Sequence, residues 1–86
     1  MDKSGFTKFE IELIDNITNI VVGKVKNMSF DHIDDLERFV HNDCVVHHRM
    51  TRQGYSDFGE CSDAWMWGFR RSMLVDLVFS KLRKQG

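Results

Sequence analysis

Five side chains near the middle of the chain carry the chemistry most readily put to use: His41, Cys44, His47, His48 and Cys61. Four thiolate or imidazole ligands suffice to hold zinc tetrahedrally. Structural zinc sites, however, present paired ligands two to four residues apart on both arms, and here Cys61 stands alone on the second arm. The expectation is therefore no metal and no cofactor, with Cys44 a small buried thiol beside amphipathic ring edges. The same residues place a thiol nucleophile near an imidazole base, but no third group is present to orient that base. No Gly-rich phosphate loop, His-Glu metalloprotease helix or serine elbow occurs in the sequence. The chain reads as a non-enzyme, with a Cys/His zinc-binding or thiol-dependent protein as the second alternative.

A different chemistry resides in Arg49 and Arg52, which with His47, His48 and Tyr55 form a basic, partly aromatic stretch. Guanidinium groups take phosphates and aromatic rings stack on bases, so a nucleic-acid-binding regulator is the first alternative function. The net charge of −1 conceals a polarity: residues 1–43 carry five Lys/Arg against nine Asp/Glu, and residues 44–86 carry seven against four. Neither the large negative charge of a duplex mimic nor a dense basic stripe is evident. Asp34, Asp35 and Glu37 read as solvated partners of a helix dipole rather than as paired catalytic carboxylates.

The elements that must position these residues fit one domain over residues 1–86. A 42% hydrophobic content with seven Phe and two Trp is ample for a core, and Pro is absent. No apolar run approaches the ~20 residues that cross a bilayer, and the N-terminus lacks the apolar stretch of a secretion signal. A cytoplasmic protein with reduced thiols and no membrane association is expected.

Residues 7–13 alternate, with Thr7, Phe9, Ile11 and Leu13 on one side and Lys8, Glu10 and Glu12 on the other, as in a half-buried strand. Residues 20–28 are rich in β-branched side chains and supply a hairpin partner. A helix competes for this region: Thr7 and Glu10 fit a capping box, and Phe6, Phe9, Leu13, Ile17, Ile20 and Val21 fit a helical stripe. The hairpin is preferred because eight β-branched residues between Ile11 and Val25, with Gly23, suit a helix interior poorly.

Asp31 then caps a short helix with an apolar side of Ile33, Leu36, Phe39 and Val40. Residues 44–50 read as a third strand and residues 53–61 as a loop. Ser62 or Asp63 opens a helix running to about Lys84, roughly 33 Å long.

At 100° per residue this last helix is apolar on two sides. Trp67, Leu74 and Val78 form an inward stripe, while Trp65 lies opposite with Ser72, Asp76 and Arg83, flanked by Phe69 and Phe79. An aromatic group in polar surroundings suits an interface anchor, so Trp65, Phe69, Phe79 and Asp76 join Arg49 and Arg52 as candidate binding residues.

The predicted fold is α+β: a small antiparallel sheet of about three strands, one short helix and one long C-terminal helix, with all-α as the alternative. The predicted function is non-catalytic protein binding, with a protein partner, a larger complex or a second copy of the chain, as its ligand. In layout, the candidate hairpin over residues 9–28 followed by Phe30-Asp31-His32-Ile33-Asp34-Asp35-Leu36-Glu37-Arg38-Phe39 resembles small phage-encoded anti-CRISPR proteins, which pair a sheet with short helices. The resemblance covers about the first half of the chain and carries over no functional residue. It implies a stoichiometric inhibitor that occludes a surface of a larger bacterial defence complex.

Overall fold

Helix α1, Lys8–Lys26, begins where Thr7 adopts extended backbone and turns its hydroxyl onto the chain ahead. Thr7 Oγ1 accepts from the Glu10 amide at 3.1 Å, and Glu10 Oε1 accepts in return from the Thr7 amide at 2.8 Å. This reciprocal capping box satisfies two amides that have no partner inside the helix. The buried positions of α1 are Glu10, Ile14, Ile17, Thr18, Val21 and Val22, a spacing of three and four that only a helix produces. Thr18 satisfies its buried hydroxyl by donating to the Ile14 carbonyl at 2.8 Å.

The computed structural model describes residues 4–56 and 60–85. Its other helices are α2, Ile33–Ser56, a π-helical turn over Ala64–Gly68, and α3, Arg71–Gln85. No strand occurs among the described residues. The fold is all-α, and the α+β expectation with its sheet is overturned.

Each misassigned segment has an identifiable cause. The alternation over residues 7–13 is too short to outweigh the capping box: Phe9, which a strand would bury, is 55% exposed, and Glu10, which it would expose, is fully buried. The β-branched residues of α1 lose rotamer freedom in a helix, but burial of Ile14, Ile17, Val21 and Val22 offsets that cost. Over residues 44–50, Cys44 and His48 share a face whether the period is 2 or 3.6, so they do not discriminate. Val46 and Met50 do, and both are exposed. Residues 33–56 therefore form one helix, absorbing the short helix, the third strand and the start of the expected loop. Residues 57–59 of that loop lie outside the described residues.

The predicted helix from residue 62 to 84 is broken at Phe69, whose backbone is extended at φ −73° and ψ 119°. A break resets the angular phase, so residues before and after it no longer share a stripe. Leu74 and Val78 are buried as expected, but Trp67 is 74% exposed and Trp65 fully buried.

The three helices form a bundle measuring 43 × 22 × 17 Å, with α3 packed against both α1 and α2. Ile14, Val21, Val40, Cys44, Leu74 and Val78 meet along its axis. An aromatic cluster closes one end. Trp65 stacks on Phe69 at 4.4 Å between centroids and meets Tyr55 and Phe6 edge-on. Toward the other end, Lys24 Nζ pairs with Asp43 at 3.2 Å and ties α1 to α2.

The crossing from α2 back to α3 is anchored by Glu10. Its Oε2 accepts from the Ser62 amide at 3.0 Å and its Oε1 from the Ser62 hydroxyl at 2.5 Å. Ser62 Oγ in turn accepts from the Trp65 amide at 3.0 Å, capping the helical turn that carries both tryptophans. One buried carboxylate thus serves two helix starts, and Gly5, at φ 87°, brings the N-terminal chain to within 3.2 Å of Ala64 Cβ were it to carry a side chain.

Candidate functional site

Where α2 passes the start of α3, the two present their basic residues to one another. Val45, His48, Arg49, Arg52 and Gln53 recur at three- and four-residue spacing along one side of α2, and Arg70, Arg71 and Ser72 face them across a cleft of about 680 Å³. Four arginines from segments eighteen or more residues apart therefore line one groove.

These arginines do different work. Arg52 is partly buried and donates to the Met66 carbonyl through Nη2 and to the Phe69 carbonyl through Nη1 at 3.5 Å. His48 Nε2 approaches the same Phe69 oxygen at 3.1 Å, a contact that needs its proton on Nε2. The carbonyls at the end of the π turn, the negative end of its dipole, thereby meet a cation and an imidazole, which holds the break in place. Because that break aims the next two residues at the groove, Arg52 and His48 position Arg70 and Arg71. Arg49, Arg70 and Arg71 are exposed, and none has an ion-pair partner among the described residues.

The remaining sequence candidates separate. Trp65 and Phe69 are fully buried in the aromatic cluster and present no surface to a partner. Phe79 is half-buried against the core. Asp76 is exposed on α3, beside a second depression of about 470 Å³ that Arg70, Ser72 and Arg83 also line. Arg49 and Arg52 are brought together in the groove.

The Cys/His set does not converge: no three His, Cys, Asp or Glu side chains among the described residues lie close enough to hold a metal ion. His41 is exposed, His47 Nε2 faces Asp43 at 3.7 Å, and Cys61 Sγ contacts the Tyr55 carbonyl at 3.6 Å. Cys44 is fully enclosed, and burial, with a smaller contribution from the Asp43 carboxylate, pushes its thiol up to about 11. A thiol so placed stays protonated at neutral pH and is a poor nucleophile.

Sequence reasoning missed Arg70, Arg71 and the exposure of Trp67. The adjacent arginines directly after Gly68 were the available signal, masked by reading them as the interior of a continuous helix. Comparison with protein families, curated proteins and solved structures finds no match to this chain. The hairpin expected over residues 9–28 is replaced by α1. No helix among the described residues is long and apolar enough to cross a membrane.

Proposed function

We propose that this chain is a non-catalytic binding module that takes the phosphate backbone of a nucleic acid in the groove between α2 and α3. The observation that carries the reading is the convergence of Arg49, Arg52, Arg70 and Arg71 on one cleft. A guanidinium offers a planar fork of donors that matches a phosphate bidentately. Arg70 and Arg71 also sit at the start of α3, where the amides and the helix dipole already favour an anion. Clustered like charges oppose folding, and an anionic ligand neutralises them.

A protein partner fits the same surface less well. Protein interfaces are built around apolar and aromatic anchors in a desolvated centre, and among the described residues lining the groove only Val45 is apolar. The anchors expected for a protein target or a homodimer, Trp65 and Phe69, are enclosed in the core.

The test is fluorescence anisotropy with labelled oligonucleotides over a salt series. Contacts from three or four arginines give a slope of log K against log salt of about −2 to −3 on a single strand. Arg70→Ala should weaken binding to all sequences alike and flatten the slope by about one. Salt-insensitive retention, or none at low salt, would overturn the reading, as would a preference for acidic polypeptide such as polyglutamate over polynucleotide.

A further inference from the structure

We infer that Trp67 is a base-stacking platform and that the groove therefore takes single-stranded nucleic acid in preference to duplex, an inference that rests on the nucleic-acid reading above. Trp67 is 74% exposed, while Trp65 and Phe69 on either side of it are fully buried. A tryptophan this open removes little of its apolar surface from water, so its packing does not explain its presence. Its place in the fold gives it a use. The preceding residue, Met66, accepts on its carbonyl the hydrogen bond from Arg52, a wall of the groove. The following residue, Gly68, lines the second depression with Arg70, Ser72 and Arg83. Arg70 and Ser72 border both hollows, so the backbone of Trp67 stands where two basic surfaces adjoin.

The support beneath the ring is rigid. The π turn is capped at its start by Ser62 and tied at its end by Arg52 and His48, and Trp65 within it stacks on Phe69. An open indole, carried on a backbone that adjoins an arginine-lined groove, suits single strands, because every unpaired base offers a face to stack and every nucleotide a phosphate. Duplex bases already stack on their neighbours and give the indole no free face. Ribose and deoxyribose strands share this chemistry, so both belong in the test.

The experiment uses the full chain and compares oligothymidylate, oligouridylate and a DNA duplex of equal length by anisotropy, with intrinsic tryptophan fluorescence read alongside. Wild type should bind one or both single strands at least about tenfold tighter than the duplex, with its fluorescence quenched on binding. Trp67→Ala should lose about 5- to 150-fold on single strands, the worth of one stacked base, while keeping its salt slope and its affinity for duplex. Trp67→Phe should recover most of the loss and exclude a folding defect. If Trp67→Ala binds single strands as wild type does while Arg70→Ala weakens them, the platform is refuted and the groove stands. Equal or tighter binding of duplex by wild type refutes the platform as well. If wild type binds no polynucleotide in a salt-dependent way, the underlying reading falls instead.

Discussion

Glu10 is fully buried with no cationic partner among the described residues, yet it is held ionised. Burial acts to raise its pKa, but hydrogen bonds from the Ser62 hydroxyl and from the Thr7 and Ser62 amides outweigh it, and the net direction is downward from 4.5. A depressed pKa in the folded state means stability that is complete above the unfolded value and is lost as pH falls through the folded one. Wild type should therefore weaken below about pH 4.5, and Glu10→Gln should remove this part of the slope in denaturant melts across that range. Glu10→Ala removes the acceptor of the Thr7 and Ser62 amides and of the Ser62 hydroxyl proton, and should cost about 2–4 kcal/mol at neutral pH. The tryptophans give a second contrast. Trp65→Ala empties the aromatic cluster and should cost about 3–5 kcal/mol, whereas Trp67→Ala should change folding stability by less than about 0.5 kcal/mol. That these two rings point opposite ways was legible from their spacing. Which one points inward was not, because that depends on a backbone break at Phe69 which no Pro announces.

At the scale of elements, α1 shows how short-range and long-range signals compete. Its capping box was visible in Thr7 and Glu10, and Ile17 and Val21 of its stripe were placed correctly, but Phe9 and Ile20 proved exposed. β-branched content favoured a hairpin because propensity counts the rotamer entropy each residue loses and cannot see the α2 and α3 surfaces that repay it in burial. Gly23 is the one helix breaker in that run, and apart from its chain neighbours and the adjoining backbone of α1 no atom lies within 4 Å of where its Cβ would stand. Gly23→Ala should accordingly stabilise the protein by about 0.5–1 kcal/mol in chemical denaturation, since the helix loses a flexible residue and meets no clash. A destabilisation would mean that α1 bends at this point. In α2 the acidic first turn was readable from Asp34 and Asp35, and the helix's continuation through residue 56 was not, because Cys44 and His48 satisfy both periods.

Across the whole molecule, the acids that open α2 stand apart from the groove that its last turns line. Asp35 at the start of α2 and Arg52 near its end are separated by about 26 Å of helix, beyond the roughly 8 Å over which charges interact at physiological salt. The acidic end therefore does little to neutralise the groove. Nor does α3 help itself: its first turn carries no acid, and Arg71 stands at the positive end of the helix dipole. A residue that breaks a local rule without compensation elsewhere is the signature expected where function rather than folding sets the side chain. That conflict yields a prediction with two opposed readouts. Arg71→Glu should raise folding stability by about 0.3–1 kcal/mol at low salt, by complementing the dipole and relieving repulsion from Arg70 and Arg49, and the gain should shrink as salt is added. The same substitution should abolish retention of oligonucleotides. Denaturant melts at low and high salt, run beside anisotropy on the same samples, separate the outcomes. A loss of stability in Arg71→Glu would show that Arg71 holds the fold together, and the groove would then owe its arginines to architecture rather than to an anionic ligand.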